Sequence, residues 1–274
     1  MNIFIAILLG AVQGITEFLP ISSSGHLVLL RNIFGIEAPG LFFDTMLHLG
    51  TLTAVFVVLW KDIWSILRKI IQPLTLYLII GTIPAVITAL AFSDIIENAF
   101  DSGKYLGFCF LITTILLVTA EQLVKRTPKE SLKKAESMNW VDALVTGILQ
   151  AIALAPGISR SGATISGALS RKLDRDFAAR FSFLLSIPAI LGAVVFQTKD
   201  LIKYTEPQTT ETTGIIAIIA GTITAAIVGF FAVKFMLKII REKSLYGFAI
   251  YTGVLGILVL FDQFVGVGIS GVTH

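Results

Sequence analysis

Two short polar segments in an apolar chain carry the residue types that handle phosphate. Residues 13–26 read Gln-Gly-Ile-Thr-Glu-Phe-Leu-Pro-Ile-Ser-Ser-Ser-Gly-His. Gln13 and Glu17 stand four apart, so they share one face of a helix, and Pro20 predicts where that helix stops. A carboxylate, the hydroxyls of Ser22, Ser23 and Ser24, and the His26 imidazole are costly to bury among apolar neighbours unless they are partnered or used. The plainer alternative makes Glu17 a hydrogen-bonded core acid and the serines caps of the short helix that follows. Residues 155–164 read Ala-Pro-Gly-Ile-Ser-Arg-Ser-Gly-Ala-Thr, a guanidinium among hydroxyls and glycines. Arg160 suits phosphate oxygens because its fork gives two parallel hydrogen bonds. Gly157 and Gly162 let backbone amides come close, a helix N-terminus adds partial positive charge, and Ser159, Ser161 and Thr164 add donors. The plainer alternative here is that Arg160 only neutralises Glu17.

The elements that must hold these segments are membrane helices. The chain has 274 residues, 55% hydrophobic and only 14% charged, with a mean hydropathy of +0.87. A water-soluble domain carries roughly 25% charged residues, so this composition belongs in a bilayer. Six stretches approach the length of about 20 residues that crosses hydrocarbon as a helix: 43–60, 74–92, 105–124, 181–196, 215–236 and 245–264. The N-terminal stretch lacks the basic start and small-residue cleavage site of a signal peptide and runs into the first polar segment, so it is expected to stay in the mature protein. Cys109 is the single cysteine and reads as a small core residue. The net charge of +3 comes from residues clustered in short loops, which is a topological signature, and nucleic acid is not an expected partner.

The two halves resemble each other. An offset of about 140 residues aligns Gly81-Thr82-Ile83 with Gly221-Thr222-Ile223, Lys61-Asp62 with Lys199-Asp200, and Gly107-Phe108 with Gly247-Phe248. At nearly the same offset Gln13, Pro20 and Ser24-Gly25 match Gln150, Pro156 and Ser161-Gly162. Placing the loops near 61–69, 125–139, 171–180 and 234–243 inside gathers 16 of the 21 Lys and Arg but only six of the 18 acids, as the positive-inside rule demands. The segments near 93–104 and 199–211 and both termini then lie outside. Residues 1–40 and 139–171 must each begin and end on one side. Their apolar pieces, 2–14 with 27–34 and 140–154 with 163–169, are short and separated by polar, Pro-containing sequence, which predicts re-entrant helical hairpins whose tips meet in the interior. The expected fold is an all-α polytopic membrane protein with an inverted-topology repeat, each half a re-entrant hairpin plus three transmembrane helices. Repeat 1 covers about 1–124, repeat 2 about 139–267, and a cytoplasmic linker about 125–138, within a single integral membrane domain.

Glu17 running into Phe18-Leu19-Pro20-Ile21-Ser22-Ser23-Ser24-Gly25-His26, followed later by Pro156-Gly157-Ile158-Ser159-Arg160-Ser161-Gly162-Ala163-Thr164, resembles the undecaprenyl pyrophosphate phosphatase family over nearly the whole chain. Gln13 stands where many members carry Glu, leaving Glu17 the sole acid of the motif. The resemblance implies hydrolysis of a C55 polyprenyl pyrophosphate to the monophosphate, which recycles the lipid carrier of bacterial cell-wall polymers. On that reading Arg160 grips the pyrophosphate, and Glu17 with the Gln13 carbonyl holds Mg²⁺ or Ca²⁺. His26 serves as general acid or base, and Ser23 is the nucleophile if a phosphoenzyme forms, direct attack by water being the alternative. Gln13, Ser22, Ser24, Gly157, Ser159, Ser161, Gly162 and Thr164 are expected to bind substrate. The implied setting is the bacterial inner membrane with the site opening to its outer face, among membrane lipids, with a homodimer as one assembly. His48 near Asp44 reads more readily as a core or cavity-lining histidine, Arg31 as paired or snorkelling, His274 as solvated, and Ser182, Ser186, Asp142 and Gln150 as cavity-lining or helix-bonding. A polyprenyl-phosphate transporter or flippase would use much the same build, and a scaffold would leave the buried charges unexplained.

Overall fold

The computed structural model describes residues 1–36, 41–203 and 214–265. Its elements, in order, are α1 (Ile3–Phe18), α2 (Ser23–Phe34), α3 (Leu41–Val58), α4 (Trp60–Arg68), α5 (Pro73–Ala91), α6 (Ser93–Ser102), α7 (Leu106–Arg126), α8 (Trp140–Ile152), α9 (Arg160–Ser170), α10 (Arg175–Lys203), α11 (Ile215–Glu242) and α12 (Tyr246–Val265). Among the described residues every named element is helical. α5, α7, α10, α11 and α12 are long and apolar enough to cross a membrane, and α3 with α4 makes a sixth span if the pair, bent by 79°, counts as one. The chain is a multi-pass membrane protein. Ile219, Ile223, Ile227 and Phe231, each four residues from the next on α11, are exposed, a stripe that hydrocarbon covers.

The start and stop signals behave as the side chains dictate. Asn139 accepts the amides of Val141 and Asp142 while Asp142 accepts that of Asn139, a reciprocal cap that opens α8. Pro73 begins α5, where its missing N–H is not needed. Gly35 closes α2 in the left-handed region. α1 runs to Phe18 through Gln13 and Glu17, and the chain turns extended at Leu19, before Pro20, where the proline is expected to stop the helix.

Both hairpins form. α1 packs against α11 and α8 packs against α5, so each hairpin lies on a long helix from the other half of the chain, and α7 packs against α12. Small residues set these distances. A Cβ on Gly10 would come within 2.3 Å of the Gly221 carbonyl oxygen, and one on Gly147 within 2.5 Å of the Gly81 carbonyl oxygen. Backbones this close gain dispersion contacts that larger side chains would forbid.

The segment between α7 and α8 is anchored. Lys133 exchanges backbone hydrogen bonds with Lys172 and Asp174 at 2.7 and 2.8 Å, and its ammonium donates to both oxygens of the fully buried Asp142, each at 2.8 Å. Arg171 adds a third contact to the same carboxylate. Nearby, Arg175 pairs with buried Glu121, which also accepts the Leu245 amide. Arg180 reaches Asp62 and Asp176, and Asp176 also binds Arg241. The first turns of α10 thus tie α4, α7 and α11 together at one end of the bundle.

Candidate active site

The two hairpin tips are built alike. Ser22 caps α2 by accepting the Gly25 amide at 3.3 Å, and Ser159 caps α9 by accepting the Gly162 amide at 3.0 Å. In each tip the cap hydroxyl lies 3.2 Å from that of a second serine, Ser24 or Ser161. The tips then lock onto one another. Ser24 Oγ accepts the Gly157 amide at 3.3 Å, and Ser161 Oγ donates to the Leu19 carbonyl at 2.9 Å. Gly157 sits at φ +94° against Cys109 and Leu106, a conformation and a clearance that exclude a Cβ. Ser22 adopts φ 72° with a side chain in place. Its hydroxyl capping Gly25 and its carbonyl accepting from His26 hold that strained backbone.

The matched caps place Ser23 and Arg160 at the same position, the first residue of each short helix. Both donate to Glu17. Ser23 Oγ lies 2.6 Å from Glu17 Oε2 and Arg160 Nη2 lies 2.6 Å from Glu17 Oε1. Gln13 Nε2, one helical turn before, donates to Oε2 at 3.1 Å. The Glu17 side chain is 4% exposed and that of Arg160 18%. A buried charge at such a place needs a partner, and here the positive ends of two helices also converge on it. Two atoms in the cluster are buried without a hydrogen-bond partner, Arg160 Nη1 and Gln13 Oε1. Unmet buried donors and acceptors cost on the order of 1–3 kcal/mol each, so they mark where a ligand's oxygens or a cation would be welcome.

The remaining candidates are distributed around this triangle. His26 Nδ1 lies 2.6 Å from the Ser22 carbonyl oxygen, which makes that nitrogen the donor, and Nε2 accepts from the Tyr251 hydroxyl at 2.7 Å. The His26 ring stacks on Tyr251 and meets Phe110 edge-on. Both nitrogens are therefore engaged beside the cluster rather than on Ser23. Thr164 bonds Ser182 at 2.5 Å, deep in the protein. Ser22, Ser24, Ser159 and Ser161 cap helices and join the tips, with Gly162 giving its amide to a cap. Asp44 pairs with Arg31, Ser186 bonds the Phe183 carbonyl, and Gln150 donates to the Gly81 carbonyl. His274 lies outside the described residues, as does most of the segment near 199–211.

The chain matches the family described as bacitracin resistance protein BacA over residues 6–258. This chain belongs to the BacA family. It is 45% identical over 268 residues to an undecaprenyl-diphosphatase of Carboxydothermus hydrogenoformans, covering 97% of this chain and 99% of that one. It is 45% identical over 267 residues to undecaprenyl-diphosphatase 3 of Bacillus cereus, covering 97% and 100%. With an undecaprenyl-diphosphatase of Halothermothrix orenii it shares 42% identity over 262 residues, 95% and 98% of the two chains.

Two further residues of this BacA-family chain, His48 and Tyr251, stand next to the cluster and to His26. His48 Nδ1 lies 3.0 Å from Gln13 Nε2 and 3.8 Å from Glu17 Oε2, so it borders the cluster, while its neighbour in sequence, Asp44, is occupied by Arg31. Tyr251 lies on α12 beside Thr252, and nothing in its sequence surroundings connects it to His26, 225 residues earlier. Among the described residues no three His, Cys, Asp or Glu side chains gather as a metal centre. The oxygen donors near Glu17 are its own carboxylate, the unpartnered Gln13 Oε1 and the Ser23 hydroxyl. That set suits a hard cation whose shell is completed by phosphate oxygens.

Proposed function

We propose that the chain hydrolyses undecaprenyl pyrophosphate, a C55 polyprenyl pyrophosphate, to the monophosphate and phosphate, recycling the lipid carrier for bacterial cell-wall polymers. One observation carries the reading beyond the names of its relatives: a hydroxyl from one hairpin and a guanidinium from the other bond the two oxygens of a single buried carboxylate.

Phosphoryl transfer needs charge neutralisation and alignment more than elaborate covalent chemistry. Arg160 uses one nitrogen on Glu17 and has Nη1 free, so the terminal phosphate docks on the guanidinium beside Ser23. As phosphate oxygens take over Arg160, Glu17 is left without its counter-ion in a buried place and becomes the acceptor for the Ser23 proton. Ser23 Oγ forms a bond to the terminal phosphorus, the bond to the bridging oxygen breaks, and the electron pair leaves with the prenyl monophosphate. Water then releases phosphate from the serine, returning the proton to its oxygen. Glu17, not His26, is the group on the nucleophile's hydroxyl. His26, held by Ser22 and Tyr251 one turn along α2, borders the phosphate from the other side. A bound Mg²⁺ or Ca²⁺, held by Glu17 and Gln13 Oε1, would neutralise phosphate charge. Because Glu17 is the one acid there, titration calorimetry is expected to find no stoichiometric Mg²⁺ binding until a non-hydrolysable pyrophosphate is added.

The basic loops near 61–69, 125–139, 171–180 and 234–243 support a cytoplasmic position for those segments, and with it a reading in which the hairpins enter from opposite faces as an inverted repeat and the enzyme sits in the bacterial inner membrane with its site open outward. Gln13, Glu17, Ser23 and Arg160 meet within one chain. A lipid transporter would need the cavity and Arg160 but not a serine hydroxyl on a carboxylate. Phosphate release by the purified protein from undecaprenyl pyrophosphate in detergent separates the two. The phosphatase releases it stoichiometrically with monophosphate, whereas translocation without release would overturn this reading.

A further inference from the structure

A groove of about 440 Å³ runs beside the first tip, between the C-terminal part of α11 and the N-terminal half of α12. One end rests on Leu19 and Ile21, the residues flanking Pro20 on the loop from Glu17 to Ser23, and on Tyr251, whose hydroxyl holds His26. Phe235 and Ile239 line it one turn apart on α11, with Lys243 a turn further at that helix's C-cap, and Gly247 and Tyr251 line it one turn apart on α12; Lys243 and Gly247 stand at the end where the two helices join. Apart from that end and the Tyr251 hydroxyl its lining is apolar. Phe235 and Tyr251 are about half exposed, so the groove is open along the surface that hydrocarbon covers. A second groove, about 350 Å³, is lined by α3 and α11 and touches neither tip.

We infer that this groove takes the first isoprene units of the substrate's chain. The inference rests on the phosphatase reading. A diphosphate held between Ser23 and Arg160 leaves its prenyl ester oxygen within a loop's width of Leu19 and Ile21, and the chain attached there needs an apolar path into the bilayer. The groove begins on that loop and supplies the path. It measures the chain through contact area, so its contribution grows with each isoprene unit it holds and stops when it is full.

Gly247 makes the test clean. A Cβ at this position meets no atom within 4 Å, so Gly247→Leu extends into the groove without displacing the fold. Phosphate release is measured for wild type and Gly247→Leu on prenyl pyrophosphates of C5, C10, C15 and C55, with melting temperature as the control for folding. A pocket mismatch of this size changes apolar recognition by about tenfold or more. The expected result is a KM unchanged for C5, raised progressively from C10, and raised about tenfold for C15 and C55 alike. Phe235→Ala, which removes a half-exposed wall, is expected to raise KM for the long chains and spare C5, and it decides the matter if the leucine variant does not fold. Equal losses at every chain length, or no loss at any, would overturn the groove assignment, the second outcome meaning that a bilayer acyl chain fills it. Absence of phosphate release from every substrate by wild type would instead remove the phosphatase reading, and the groove assignment with it.

Discussion

Ser23 and Arg160 each open a short helix behind a serine cap, and each donates to one oxygen of the same carboxylate, Glu17. The alignment of Ser24-Gly25 with Ser161-Gly162 already sets Ser23 opposite Arg160. What could not be read is that both would turn toward Glu17, because that depends on which hairpin faces which. The guanidinium's fork matters as much as its charge, since both arms meet phosphate oxygens once the substrate has drawn it from Glu17. Arg160→Lys is therefore expected to lower kcat/KM by about 10²-fold with melting temperature nearly unchanged; turnover near wild type would show that a point charge suffices. At Tyr251 the hydroxyl is the issue. Tyr251→Phe keeps the stack on His26 but leaves Nε2 without its donor, and the expected loss in kcat/KM is about 3- to 10-fold, the worth of one hydrogen bond, with a shifted pH profile that His26→Gln abolishes. An unchanged rate and profile would remove Tyr251 and its imidazole partner from the chemistry.

Short helices and their caps were readable because their signals are local: Pro20 and Pro156 break helices, serines open the next ones, and Asn139 with Asp142 forms a reciprocal cap. The bend between α3 and α4 was not, since the chain from Phe43 to Trp60 contains no proline or other strong helix breaker at the point where it turns. The sharp turn leaves Trp60 and Trp64 stacked and exposed with Arg68 over the Trp64 ring, as suits a helix lying in the membrane interface. The segment 125–138 looked like a tether, yet Lys133 anchors it on Asp142. The spacing of these two charges carries no helical register that would have joined them. Asp142 is fully buried beneath Lys133 and Arg171, and removing one member of such a set leaves the others uncompensated. Asp142→Ala is expected to lose about 3 kcal/mol of stability, seen as a clear drop in melting temperature, while the folded fraction keeps its specific activity. A variant that melted like wild type would mean the anchor contributes little.

Across the whole molecule, composition and hydropathy gave the class and the spans, and the loop charges gave an orientation that labelling can check. Cys109 is buried, so in a Cys109→Ala background a membrane-impermeant maleimide added to intact cells is expected to label Asp94→Cys on α6 and to spare Lys134→Cys until the membrane is opened; the reverse pattern would invert the topology. The exchange of hairpins, α1 onto α11 and α8 onto α5, follows from packing that a one-dimensional pattern does not encode, although the glycines that permit it, Gly10, Gly81, Gly147 and Gly221, stand in the sequence. That exchange brings Glu17 and Arg160, 143 residues apart, to 2.6 Å. The most direct measurement is a double-mutant cycle on kcat/KM for undecaprenyl pyrophosphate with Glu17→Ala, Arg160→Ala and the pair, all confirmed as folded. Groups that act as one unit lose their contribution once, so the double variant is expected to fall within about threefold of the worse single variant. Losses that multiply, as for two independent sites, would contradict a single phosphatase centre shared by the two tips.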